Sequence, residues 1–376
     1  MTERKPGIIE DIIEECKFLE SYDLGESVEI LARRLNKSPR DILKLNSNEN
    51  LFVPLDFLRH ILHEVAEEVD PRVYPRSEIE EIREVLGRNL KVPPECIVIG
   101  AGSDQLIDLI MRMSVRCGEE ILSISPTFSM YKVFSSILRA NYKSVSLKDD
   151  FSLDVEKIFA SFTPKTKLLI LCSPNNPTAN KFRLEDIDFL AENFEGLTII
   201  DEAYVDFSDG SALSLLKNNE RIIILRSFSK VFGIAGLRLG YAVASPRLAE
   251  VMIRKFQTPF PVASVAVKTC LRILNRIDVI ENAVKKVKIE RRRITEGLNK
   301  IEGVQAFNSE TNFVLYRTGK SSSKVYRDLL KRGIIVREMG RVLSFQNCLR
   351  VTVPPSPMSD YFLSSMEEVM QQDDNE

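Results

Sequence analysis

A lysine flanked by hydroxyls and arginines, Arg226-Ser-Phe-Ser-Lys230, follows directly on the apolar, β-branched run Ile222–Leu225, and Arg238 stands a short way on in Ala-Gly-Leu-Arg-Leu-Gly-Tyr. Such a run reads as a buried strand, and open α/β sheets bind their ligands beyond the carboxyl ends of the strands. Ser227, Ser229, Arg226 and Arg238 around Lys230 would make an anion cradle beside an amine. Pyridoxal phosphate needs that combination: the amine condenses with its aldehyde while the other groups hold its phosphate. A solvated basic turn after a strand fits the same residues equally well, so this segment alone leaves both readings open.

Two more apolar runs end in polar residues that a core would not select. Leu169-Ile-Leu-Cys-Ser breaks into Pro174-Asn-Asn-Pro177, and Thr198-Ile-Ile runs into Asp201-Glu-Ala-Tyr204. As neighbouring parallel strands, the three runs would let Asn176, Asp201, Tyr204 and Lys230 converge on one edge. Singly, Asp201 reads as a turn carboxylate and Tyr204 as a core aromatic; three such coincidences on adjacent strands fit one site better. Asp201 would then pair with a pyridine nitrogen and keep it protonated, Asn176 and Tyr204 would hydrogen-bond the ring's O3′, and Lys230 would move a proton between substrate Cα and C4′. Gly100-Ala-Gly-Ser-Asp104 follows another strand and opens the helix Gln105-Leu-Ile-Asp-Leu-Ile. It lacks the third glycine and the ribose-binding acid of a dinucleotide fingerprint. With Gly102 in the turn, the N–H groups of Ser103 and Asp104 at a helix N-terminus make a phosphate cup, and a glycine-rich turn capped by Ser103 is compatible with it.

The elements that must position these residues form an α/β pattern. Residues 8 to 45 read as helical, with Ser38-Pro39 as cap and first-turn proline. Strands are expected at Cys96–Gly100, Glu120–Ile124, Ser144–Leu147, Lys167–Cys172, Leu197–Asp201, Arg221–Leu225 and Tyr241–Ala244. Near-continuous apolar strands alternating with amphipathic helices imply a largely parallel central sheet covered by helices on both faces. From 262 to 300 the pattern is long helix. Strands at Asn312–Tyr316, Ile334–Arg337 and Cys348–Val353 follow, with helices near 323–332 and 358–370. The division expected is a large α/β domain at 46–270 and a smaller α+β domain built from 1–45 and 271–376.

Composition narrows the classes. A chain of 376 residues exceeds the roughly 250–300 at which one core stops growing. A net charge of −2 without a long basic block argues against nucleic acid as a partner, and no stretch approaches the roughly 20 apolar residues that span a bilayer. The N-terminus carries no apolar signal core, and the six cysteines (Cys16, Cys96, Cys117, Cys172, Cys270 and Cys348) show no pair spacing. A cytoplasmic protein without disulfides or a metal is expected. His60 and His63 share a helix face but lack a third ligand.

The motifs together resemble the histidinol-phosphate aminotransferase family of the fold-type I pyridoxal-phosphate transferases. The stretches that carry the resemblance are Leu45-Asn-Ser-Asn-Glu-Asn50, Tyr74-Pro75, Gly100–Asp104, Pro126-Thr-Phe-Ser-Met-Tyr131 and Cys172–Thr178. Asp201–Tyr204, the block from Arg226 to Tyr241, Thr311-Asn-Phe313, Gly333-Ile-Ile-Val-Arg337 and Leu349-Arg-Val-Thr352 complete them. The resemblance implies that Phe128 stacks on the cofactor ring, that Tyr74 reaches the cofactor phosphate of a second subunit in a homodimer, and that Arg350 grips a substrate carboxylate. It implies Arg337 and Tyr22 at the substrate's distal phosphate and Asn48 as a further substrate contact. The implied reaction moves an amino group between a phosphorylated donor and 2-oxoglutarate, giving glutamate. The sequence departs from the family pattern at Ala179, where glycine is usual, in the loop 51–54, and at Val353-Pro-Pro. A threonine-phosphate decarboxylase on the same fold would show Thr-Lys, Pro-Gly-Leu-Arg and a phenylalanine at 204, against Ser229-Lys230, Ala235-Gly236 and Tyr204 here. An aromatic aminotransferase would have less use for Arg337, and a non-catalytic binding protein none for Lys230 with Asp201.

Overall fold

The computed structural model describes residues 7–17, 19 and 25–372. The larger sheet has seven strands: β1 (Ile97–Gly100), β2 (Glu120–Ser125), β3 (Asn141–Ser146), β4 (Thr166–Cys172), β5 (Leu197–Asp201), β6 (Ile222–Ser227) and β7 (Gly240–Val243). Their spatial order is β1-β7-β6-β5-β4-β2-β3. Neighbours run parallel except at β7, which is antiparallel to both β1 and β6. Each run expected as a strand of this sheet is one of the seven.

Successive residues through the middles of β4 and β6 are apolar because both faces of the sheet are covered. Ile222, Ile223, Ile224 and Leu225 are all fully buried, and alternate residues feed different cores. Leu169, Leu171, Ile200, Ile222 and Ile224 pack into one; Leu168, Ile170, Ile199, Ile223 and Leu225 pack into the other. The same alternation continues to the strand ends, where it sorts the polar residues. Cys172, Asp201 and Ser227 share the parity of the second set, Glu202 and Arg226 that of the first.

A second, antiparallel sheet is made of β8 (Val304–Ala306), β9 (Phe313–Thr318), β10 (Arg337–Val342) and β11 (Phe345–Thr352), in the order β10-β11-β9-β8. Helices Ile277–Lys300 and Ser322–Lys331 pack against it, and both contact helix Ser356–Gln371. The helix expected over 262–300 is two helices, Ser264–Leu274 and Ile277–Lys300, separated at Asn275-Arg276.

The N-terminal segment is helical only in part. Helices Ile8–Cys16 and Val28–Leu35 are present, and Asn36, in the left-handed conformation at φ 51°, ends the second. Ser38 and Pro39 start only a three-residue turn, Pro39–Asp41, and Leu43–Lys44 then leaves helix altogether to pair in parallel with Ile334–Ile335. That pairing ties the start of the chain to the segment carrying Arg337.

Candidate active site

A cavity of about 420 Å³ opens at the carboxyl ends of β4, β5 and β6, beside the N-terminus of helix Gly102–Ser114. Ser103, Asp104, Phe128, Asn176, Asp201, Tyr204, Ser227, Ser229, Lys230 and Arg238 line it together with Asn48 and Arg350. The three strand ends singled out in the sequence do meet there.

Asp201 closes the floor. Its side chain is almost fully buried; Oδ2 accepts a hydrogen bond from the Tyr131 hydroxyl at 2.7 Å and Oδ1 one from the Ala203 N–H at 3.0 Å. Burial pushes its pKa up to about 6, against the pull of those two donors. Lys230 follows β6 in the short helix Phe228–Val231 and donates to the Ser47 carbonyl at 3.0 Å. Burial lowers its pKa to about 8, with the Arg350 guanidinium adding to the effect. The Tyr204 ring lies 5.9 Å from the Lys230 amine, and its hydroxyl accepts from Asn48 Nδ2 at 2.9 Å, leaving the phenolic proton to donate. Burial raises the Tyr204 pKa, so the phenol stays protonated. Asn48 itself sits at φ 55°, its N–H bonded to Thr352 Oγ1.

The other end of the cavity suits a phosphate. Gly102 has φ 83°, and a Cβ there would come within 2.7 Å of Arg238 Nη2; only glycine allows the helix N-terminus and the guanidinium to face one anion. Arg238 also pairs with Asp104 at 3.0 Å. Ser227 Oγ accepts from the Ser229 N–H at 3.2 Å, whereas the buried Ser229 Oγ has no partner among the described residues. A buried hydroxyl left without a partner is costly, and a bound phosphate oxygen would satisfy it. The residues therefore fit a phosphorylated cofactor that carries an aldehyde.

Arg226 corrects the sequence reading. It does not face the cavity but lies across the sheet, donating to Glu202 from Nε at 3.0 Å and from Nη2 at 2.8 Å, and to Ser211. Strand parity is the reason: Arg226 and Glu202 point away from Ser227 and Asp201. Burial works against the Arg226 charge, but Tyr241, Glu202 and Asp206 outweigh it and raise its pKa.

Arg350, on β11, is buried and donates to Asn176 Oδ1 and to the Asn46 carbonyl, with Phe313 beneath it at 5.1 Å. Arg337 lines a neighbouring hollow of about 350 Å³ with Glu26, Asn46, Tyr326 and Met339. It stands directly opposite Arg350 in the β10–β11 pair. Tyr74 is 72% exposed, stacked on Phe260 at 4.5 Å, and does not line this chain's cavity. Tyr22 lies outside the described residues. His60 and His63 pair with Glu64 and Glu67, and no cluster among the described residues could hold a metal ion. Among those residues no helix is long and apolar enough to cross a membrane.

Several contributors were not singled out from the sequence. Ser47 acts through its backbone carbonyl, which no side-chain pattern reveals. Met130 and Cys172 line the wall but read as core residues. Tyr131 ends the stretch Pro126-Thr-Phe-Ser-Met-Tyr131, yet a tyrosine on an amphipathic helix signals packing before hydrogen bonding. The departure at Ala179 has a visible backbone context: this fully buried residue has φ 63°, a conformation for which glycine is the usual choice.

The sequence pattern of the family described as aminotransferase class I and II matches residues 40–365. A histidinol-phosphate aminotransferase of Thermoanaerobacter sp. (strain X514) is 34% identical over 331 residues, covering 87% of this chain and 93% of that protein. One from Methanosphaera stadtmanae is 30% identical over 367 residues, covering 96% and 98%. Among solved structures, the histidinol-phosphate aminotransferase of Sinorhizobium meliloti in complex with pyridoxal-5′-phosphate superimposes with a TM-score of 0.84 at 25% identity, covering 93% of this chain and 96% of that one.

Proposed function

The chain belongs to the class I and II aminotransferases, and from that premise we propose that it is a pyridoxal-phosphate enzyme transferring the amino group of histidinol phosphate to 2-oxoglutarate. The observation that carries the reading is the convergence of Lys230, Asp201, Ser229 and Arg238 on one cavity at the ends of adjacent strands. The names borne by relatives at 30–34% identity support the donor. When bound, pyridoxal phosphate supplies an aldehyde and an electron-accepting ring. Lys230 would be the amine that holds it and the general base at the substrate Cα. Asp201 holds a proton at the ring nitrogen. Asn176, whose carbonyl is occupied by Arg350, and Tyr204, whose oxygen already accepts from Asn48, each keep an N–H or O–H for the ring's O3′. Ser103, Asp104, Ser227, Ser229, Arg238 and the Gly102 turn would receive the phosphate, and Phe128 would lie against the ring.

Histidinol phosphate has no α-carboxylate, whereas glutamate has two carboxylates, so one pocket must accept either anion. Arg337 and Arg350 are directly opposed across an antiparallel pair, which puts both side chains on one face. A substrate anion would meet Arg350 at the near end and Arg337, through the adjoining hollow, at the distal phosphate. Asn48, and Tyr22 beyond the described residues, complete the proposed substrate contacts. We further propose a cytoplasmic homodimer in which the exposed Tyr74 reaches the phosphate site of the other subunit.

The test is to mix the holoprotein separately with histidinol phosphate, phenylalanine, threonine phosphate and glutamate and to follow the cofactor absorption. Histidinol phosphate and glutamate should each convert it to the amine form within one turnover. Conversion by phenylalanine but not by histidinol phosphate would replace the proposed donor with an aromatic amino acid.

A further inference from the structure

We infer that Tyr131 is a positioning residue for Asp201, aiming its carboxylate into the cavity and keeping it ionised against the cofactor ring; this rests on the cofactor chemistry proposed above. Tyr131 stands on helix Met130–Ile137 and is fully buried. Its hydroxyl lies 2.7 Å from Asp201 Oδ2. An ionised carboxylate can only accept, so the single phenolic proton must point at it. Ala203 N–H holds the other oxygen at 3.0 Å. With one donor on each oxygen, the carboxylate cannot turn without losing a hydrogen bond, and its remaining lone pairs are left for the cavity that Asp201 lines. The phenol ring is itself held edge-to-face against Phe128, with centroids 5.6 Å apart at 89°. Cys172, the register partner of Asp201 on β4, gives its thiol hydrogen to the Pro174 carbonyl at 3.4 Å, so its sulfur, which also neighbours the Tyr131 hydroxyl, donates nothing to the carboxylate.

The consequence follows from where a shared proton rests. A carboxylate facing a pyridine nitrogen forms either a charged pair, with the proton on nitrogen, or a neutral pair, with the proton on oxygen. A hydrogen bond donated to the carboxylate favours the charged pair. In a buried site, without Tyr131, the proton shifts toward Asp201 and the ring draws electrons less strongly.

Tyr131→Phe removes the hydroxyl and nothing else. Holoprotein reconstituted with cofactor ¹⁵N-labelled at the ring nitrogen gives a signal that reports its protonation. In Tyr131→Phe, borohydride should still fix the cofactor on Lys230, while the nitrogen signal moves toward unprotonated pyridine. The half-reaction with donor should slow about tenfold, the scale of one lost hydrogen bond to a charged group. In an Asp201→Asn background, the same change should leave the nitrogen signal where Asp201→Asn alone put it. Tyr131→3-fluorotyrosine, a stronger donor, should move the signal the other way, and it decides the matter if Tyr131→Phe does not fold. An unmoved signal in the Tyr131 variants, with Asp201→Asn shifting it, overturns the inference and leaves the proposed function standing. A wild-type signal indifferent to Asp201→Asn refutes the functional reading itself.

Discussion

Burial moves the two central titrating groups of the cavity in opposite directions, because the charged form is the protonated one for Lys230 and the deprotonated one for Asp201. Lys230 comes down to about 8 and Asp201 goes up to about 6, so near neutral pH the carboxylate is largely ionised and the amine is within reach of its neutral form. Only the neutral amine attacks an aldehyde. The rate at which apoprotein captures pyridoxal phosphate should therefore rise with pH and level off above about 8, as measured by stopped-flow absorbance. A rise that continues toward the ordinary lysine pKa would mean that the amine is solvated. At this scale the sequence was informative where a polar side chain ended an apolar run, as at Asn176, Asp201 and Lys230. It was silent on Ser47, which contributes only backbone, and on Tyr131, whose burial and whose hydrogen bond look alike in a string of letters.

Elements decide which polar residues meet, and the period of two along a strand is what separates Arg226 from Ser227. The sequence showed both beside Lys230 but not the sheet face each takes, since in a strand buried on both sides no polar alternation marks the faces. The Arg226–Glu202 pair instead ties the end of β6 to the end of β5 with little exposure of either side chain. Arg226→Ala would leave the Glu202 charge buried and unpaired, a loss of about 3–5 kcal/mol, readable as a lower urea midpoint at unchanged slope. If Arg226→Ala keeps its stability but loses cofactor affinity as Arg238→Ala does, Arg226 belongs to the phosphate cradle after all. The seven strands of the larger sheet were legible because their apolar runs are long and bounded. The three-residue β8 was not, and residues 36–45 read as helix because the parallel pairing of Leu43–Lys44 with Ile334–Ile335 is a contact across most of the chain.

At the scale of the molecule, the fold is that of the fold-type I aminotransferases, a largely parallel sheet with a second, antiparallel sheet that brings Arg350 to the edge of the first. Tyr74, whose role the resemblance assigns to a second subunit, does not line the single chain's cavity; it is exposed and stacks on Phe260. If it serves the other subunit, Tyr74→Phe and Lys230→Ala proteins, each poor alone, should complement when subunits are exchanged. Recovery should approach roughly a quarter of wild-type activity, since half the dimers are mixed and half their sites intact. No recovery under conditions shown to exchange subunits would put Tyr74 outside the partner's site. The most direct measurement is the transfer itself. Histidinol phosphate labelled with ¹⁵N at its amino group, incubated with 2-oxoglutarate and holoprotein, should yield ¹⁵N-glutamate, and the Lys230→Ala protein should yield none. Label that stays on the donor in the presence of wild-type holoprotein, or that reaches glutamate as fast with Lys230→Ala, would contradict it.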